Sequence, residues 1–369
     1  MDVPSREARV ARVKVMAVWI LLVLFLSGCS RAVPSPPVAT DPGAGTAPAP
    51  PAATDPGTGT PPSSPVASDD LTVFETRSPD GQSVVKVVVE RLEEDNSLSL
   101  KVQATSAAAV WDHEDYADPW TSSPEDLVAW VSDSEFIWGG RMLVDLKQGA
   151  QTDLPTRGTL LSWTFMKSEE TVEALVLTQG GALEVWAIPL RTGQPRVVYT
   201  KKLHTVFGEI DGRISAAPDG SVYFEVPESN TVSVVRLKAD GSTSVVKDRA
   251  ANPLASPDGS YLAYHQLQDA GLPTIGVLDL GTSNEVLTGL PSGILTWSDD
   301  SNLLAISGPV NIVVVDVAKS SILKAIACQG QPVLTGFDGN RLSYAELTVA
   351  GGEVKKVDRR RVDLSEEGK

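Results

Sequence analysis

The chain has 369 residues, 42% hydrophobic and 21% charged, which is enough apolar content to bury a core over most of its length. Its 47 acidic residues against 31 basic ones give a formal charge of −16, which excludes a nucleic-acid surface built on a basic face. Two cysteines exclude a disulfide framework and a cysteine zinc cluster, and three scattered histidines offer no metal site, so no cofactor and no metal are expected.

Residues 1–28 read as an address. Arg6, Arg9, Arg12 and Lys14 precede an unbroken apolar run from Val15 to Leu26. That run is short for a membrane-spanning helix, which needs about 20 residues, but it fits the core of a signal peptide. It ends in Leu26-Ser27-Gly28-Cys29, which resembles the bacterial lipobox. The resemblance implies cleavage before Cys29 and acylation of its sulfur, including a palmitate-type chain. The expected location is then the extracytoplasmic side of the cell membrane. Two or more acyl chains hold a protein stably, since each buried CH₂ contributes about 0.8 kcal/mol.

Residues 29–70 comprise that cysteine and a linker. From Arg31 to Asp70 the chain holds 11 of its 26 prolines and no Leu, Ile, Met or aromatic residue. Such a segment buries too little apolar area to offset its ordering entropy. Its prolines favour polyproline II, at about 3.1 Å per residue, so a tether reaching on the order of 120 Å is expected.

Residues 71–369 repeat. Ser78-Pro79-Asp80-Gly81, Ala217-Pro218-Asp219-Gly220 and Ser256-Pro257-Asp258-Gly259 each precede a β-rich run, such as Tyr261-Leu262-Ala263-Tyr264. Ser298-Asp299-Asp300-Ser301 and Gly336-Phe337-Asp338-Gly339 follow the same plan. In such a turn Pro presets φ, Asp bonds the backbone two residues on, and Gly accepts positive φ. Weaker turns lie at 133 and 169. Seven turns about 40 residues apart predict an all-β fold, a propeller of seven four-stranded blades, with six or eight as alternatives. Ring closure is expected by pairing the strand at Leu71–Thr76 with the C-terminal strand at Glu353–Val362.

The Ser-Pro-Asp-Gly turn with its following strand is similar to the repeats of the periplasmic Tol-system propeller (TolB) and other WD-like bacterial propellers, and the same turn occurs in prolyl oligopeptidase relatives. The resemblance covers residues 71 to about 360. It implies a platform for protein partners or a funnel for ligands.

The densest chemistry lies in one stretch. Trp111, Asp112, His113, Glu114, Asp115, Tyr116, Asp118 and Trp120 place acids and aromatics together where the first two turns are unusually far apart. An insertion of this kind predicts a binding loop on the propeller rim. His204, His265 and Cys328 read as strand residues. The basic run Lys355–Arg361 reads as a solvated edge strand. No catalytic constellation is legible. A lipid-anchored binding scaffold for another envelope protein, a peptide or a glycan is therefore expected, with a lactonase- or lyase-like propeller enzyme as the alternative.

Overall fold

A computed structural model describes residues 71–92, 98–117, 127–203, 212–228, 231–269, 271–351 and 353–365. Signal peptide, Cys29 and linker lie outside them. The described residues form 27 antiparallel strands in seven sheets, each a simple up-and-down meander. Blade 1 is β1 (Thr72–Arg77), β2 (Val84–Leu92), β3 (Leu98–Thr105) and β4 (Val110–Ala117). Blade 2 is β5 (Val128–Trp130), β6 (Glu135–Trp138), β7 (Met142–Asp145) and β8 (Ala150–Asp153). Blade 3 is β9 (Thr159–Met166), β10 (Thr171–Leu177), β11 (Ala182–Pro189) and β12 (Arg196–Lys202). Blade 4 is β13 (Ile214–Ala216), β14 (Val222–Pro227), β15 (Val232–Leu237) and β16 (Thr243–Asp248). Blade 5 is β17 (Ala250–Ala255), β18 (Tyr261–Gln266), β19 (Thr274–Asp279) and β20 (Glu285–Pro291). Blade 6 is β21 (Ile294–Trp297), β22 (Leu303–Ser307), β23 (Asn311–Asp316) and β24 (Ser321–Ala327). Blade 7 is β25 (Gln331–Asp338), β26 (Arg341–Ala350) and β27 (Glu353–Asp363), so among the described residues it has three strands where the others have four.

The strands form where the sequence supplies β-branched and aromatic residues. Second strands are covered on both faces and read as continuous apolar runs; every residue of β14 and β22 is buried. Outer strands have one or both faces in water and lose that character; all of β8 is exposed. First strands of successive blades pack on one another, as β9 does on β13 and β13 on β17, which places them on the inside of the ring.

Each pair of neighbouring blades shares an apolar cluster. Tyr223, Leu262 and Tyr264 fill the space between blades 4 and 5. Leu295, Trp297 and Leu304 fill that between 5 and 6, and Leu334, Leu342 and Tyr344 join 6 to 7. One cluster runs through blades 7, 1 and 2, from Val333 and Leu347 to Phe136 and Trp138. The ring therefore closes by face-to-face packing. The expected pairing of the first strand with the C-terminal strand does not occur: β1 pairs with β2 of its own blade, and β27 pairs with β26. The physical reason is that β1 already has a partner across the Ser78–Ser83 turn, and closing that hairpin costs far less chain entropy than pairing strands from opposite ends of the domain.

Six of the seven turn positions read from the sequence fall between the first and second strand of a blade, and the seventh, Asp338, is the last residue of β25. In blade 5, Ser256 Oγ donates to Asp258 Oδ1 (2.7 Å) and accepts from Tyr261 N (2.9 Å), while Asp258 Oδ1 accepts from Ser260 N (2.9 Å). Burial works to raise the Asp258 pKa, but the hydrogen bonds from Ser260, Ser256 and Ser301 hold it down at about 2. Blade 6 repeats the network through Ser298 and Asp300, so Asp300, not Asp299, is the equivalent aspartate. Ser301 takes the glycine position there with φ of 62°. Its hydroxyl also accepts from Asp258 N (3.0 Å), tying neighbouring turns together.

Candidate binding surface

Over 110–117 the expected rim loop is instead the outer strand β4; Asp118 and Trp120 lie outside the described residues. Antiparallel pairing with β3 sets Trp111 opposite Ala104, His113 opposite Val102 and Asp115 opposite Leu100. These three turn toward blade 2. Trp111 donates through Nε1 to Gln151 Oε1 (3.0 Å), meets Phe136 edge-on and stacks on His113. Asp115 Oδ2 accepts from Trp138 Nε1 (2.8 Å). Asp112 and Glu114 point the other way and are exposed. The stretch thus divides by strand alternation into a packing face and an acidic exposed face.

Four polar side chains that sequence reasoning did not single out are buried on second strands: Glu173, Glu225, Ser307 and Glu346. Their signal was legible as a lone polar residue inside an apolar run, as in Tyr223-Phe224-Glu225-Val226. Three polar residues near the ends of second strands reach the first strand of the next blade or the residue just before it. Glu225 Oε2 accepts from Asn252 N (2.9 Å), and Ser307 Oγ donates to Pro332 O (3.2 Å). His265 donates from Nε2 to Gly293 O (3.1 Å), which fixes the proton on that nitrogen. Burial pushes its pKa down to about 4, against this hydrogen bond, so it is neutral at pH 7. In blade 7, Glu346 accepts from Gln329 N (3.1 Å) and pairs with Arg360 (2.9 Å).

Glu173 differs. It lies on β10 between Thr164 and Ala187, on the same side as Leu175, which packs against blade 4. Its Oε2 is buried with no hydrogen-bond partner. Burial first, and the nearby Glu169 charge second, raise its pKa to about 7 against the pull of Arg196. Cys328 is half-buried; burial pushes its thiol up to about 11, so it stays protonated and unreactive at neutral pH.

A cavity of about 630 Å³ opens beside the turn joining β10 to β11, lined by Arg157, Thr178, Gln179, Glu184, Trp186 and Val197 among others. Gly158 forms part of its wall with φ of 138°, and a Cβ there would lie 2.5 Å from Leu177 O, so only glycine fits. Trp186 Nε1 donates to Glu184 Oε2 (2.8 Å), fixing that carboxylate at the mouth. Such a lining offers hydrogen bonds and an aromatic edge. Among the described residues no group of three or more His, Cys, Asp or Glu is placed to hold a metal ion.

No family model and no curated protein sequence matches the chain. Solved structures do. The chain is similar to an oligogalacturonate lyase in complex with manganese, with a TM-score of 0.52 at 14% identity, over 80% of this chain and 97% of that one. It is similar to a prolyl endopeptidase, with a TM-score of 0.51 at 11% identity, over 80% of this chain and 49% of that one. The TolB structure from Acinetobacter baumannii has a TM-score of 0.39 at 13% identity, over 77% of this chain and 81% of that one. At these identities the first two likenesses are of fold alone, and by its seven blades this chain is a β-propeller.

Proposed function

We propose that this protein is an extracytoplasmic lipoprotein whose propeller is a binding scaffold. Acylated Cys29 holds it to the cell membrane, the proline-rich segment spaces it from the surface, and the propeller engages another envelope protein, a peptide or a glycan. The observation that carries the scaffold reading is the use of the polar groups between blades. Glu225, His265 and Ser307 sit where successive blades meet, and each is bonded to a backbone group of the next blade. Side chains so engaged hold a rigid platform and are not free to move protons to and from a substrate. The anchor reading rests on Leu26–Cys29 after its apolar run.

Two measurements test it. Cys29→Ser is expected to move the chain from the membrane to the soluble fraction, with loss of the acyl mass; a variant that stays with membranes sinks the anchor. Photocrosslinking in intact cells is expected to give one dominant adduct through the propeller. Turnover of an ester, lactone or uronide substrate by the purified chain, abolished by a single substitution at a polar residue, would replace the scaffold reading with the enzyme one.

A further inference from the structure

Blade 7 has three strands among the described residues, and the missing layer changes the surface of its neighbour. In β2 and β3 the side chains turned to blade 2, such as Val85, Val87, Leu100 and Val102, are fully buried. Those turned the other way, toward blade 7, are only half-buried: Lys86, Val88, Ser99, Lys101 and Gln103. Continuing outward on the same face are exposed Asp112 and Glu114. By contrast, every residue of β14, which lies between complete blades, is buried. The inner part of the seam between blades 7 and 1 is apolar, closed by Val73, Val333, Ala345, Leu347, Val354 and Val357. Its outer part is an open, polar groove running beside β27.

The lip of that groove is a strand edge. Pairing with β26 occupies one side of β27. β27 has 11 residues and carries Lys355, Lys356, Arg359, Arg360 and Arg361 in a chain of net charge −16. Three of these cations have partners: Lys355 with Glu353, Lys356 with Asp358 and Arg360 with Glu346. The register sets Arg359 opposite Ala345 and Arg361 opposite Ser343, so both project from the face turned to blade 1. Both are exposed, and neither forms an ion pair among the described residues. Charges on an edge strand discourage pairing with other chains. That role does not require two guanidinium groups without an ion pair, spaced at i and i+2 on one face.

We propose that the edge of blade 7 receives a strand from a second polypeptide, antiparallel beside β27, with acidic side chains at alternate positions that meet Arg359 and Arg361. This rests on the scaffold reading and names its docking surface. Backbone hydrogen bonds to the free side of β27 supply the attachment, and the two charge pairs supply selection and register. The added strand completes the blade and covers the half-buried face of β2 and β3.

The probe is a fluorescent, end-blocked synthetic peptide of alternating Val and Glu, titrated into the full chain in detergent and followed by anisotropy. Saturable binding is expected. The same peptide with Lys for Glu should not bind, and methylation of alternate backbone nitrogens should abolish binding. Arg359→Gln with Arg361→Gln should weaken it roughly tenfold, the effect of two cross-strand charge pairs. Both residues are exposed, so the double variant should keep its circular dichroism spectrum. Hydrogen exchange should show the β27 amides on the free side exchanging quickly alone and slowly with peptide. Three results would overturn the proposal: no binding by the Glu peptide, equal binding of the Glu and Lys peptides, or slow exchange of those amides in the free chain, which would mean the chain's own residues already fill the edge. An adduct in cells that survives the double substitution leaves the scaffold standing and removes this surface from it.

Discussion

Glu173, buried on β10, and His265, half-buried on β18, respond to pH in opposite senses. Glu173 titrates near 7 in the fold, against about 4.5 for an ordinary glutamate, because burial and Glu169 disfavour its charge. Stability that is intact below pH 4.5 is therefore lost as pH rises to 7 and above, when an unpartnered carboxylate must ionise inside the protein. His265 titrates near 4 against 6.5, because burial disfavours its cation. Its contribution is intact above pH 6.5 and is lost as pH falls to 4. Glu173→Gln is expected to stabilise the propeller by about 2 kcal/mol at pH 8 and to change nothing at pH 4. His265→Gln, which keeps an N–H for Gly293 O, should shallow the acid limb and leave the alkaline limb unchanged. Urea titrations of both variants from pH 4 to 8 check this; parallel displacement of either profile would show that these groups do not set the pH dependence.

Alternation decides what an outer strand does with a mixed sequence. In β4 it sends Trp111 and Asp115 onto blade 2 and leaves Asp112 and Glu114 in water. Trp111→Ala removes an edge contact with Phe136 and the hydrogen bond to Gln151, and is expected to cost about 2–3 kcal/mol. Asp112→Asn with Glu114→Gln is expected to stay within about 0.5 kcal/mol of the parent, as substitutions on an exposed face do. Thermal melts separate the two. Equal, small effects would mean that β4 is only loosely held to blade 2. The first hairpin of each blade makes the complementary point: its turn bonds hold chain direction, so the strands on either side need only apolar side chains.

The ring stands or falls as one body because each blade lends its faces to two neighbours. β1 covers β2 and also meets β25 and β27, although it pairs with neither. Deleting 71–77 is therefore expected to unfold all seven blades rather than fray one, seen as loss of the sheet signal and of the cooperative melt. Deleting 31–67 should leave the melting temperature within about two degrees of the parent, since Ser68–Lys369 forms a compact unit by itself. A partial melt after the first deletion would show that the blades fold independently.

The seven turns and the β-rich runs that follow them were legible in the chain itself. Pro-Asp-Gly and short apolar runs act over a few residues and need no distant partner. The run Tyr261-Leu262-Ala263-Tyr264 falls inside β18 for that reason. What the tertiary structure alone decided lies between blades. The sequence shows Trp111–Asp115 as a cluster of polar and aromatic side chains, but only the packing of β4 on blade 2 assigns each of them to the packed or the solvent side. It shows lone polar residues such as Glu173, Glu225 and His265, but whether each meets a partner depends on a backbone group about 30 residues away or nearer, delivered by the next blade. It predicts closure of the ring, but not that the closure is made by Val354 and Val357 packing on blade 1 while β27 pairs, among the described residues, with β26 alone. Local backbone preferences are written residue by residue. The fit between two faces is set by the whole ring, because the angle between blades fixes which side chains meet.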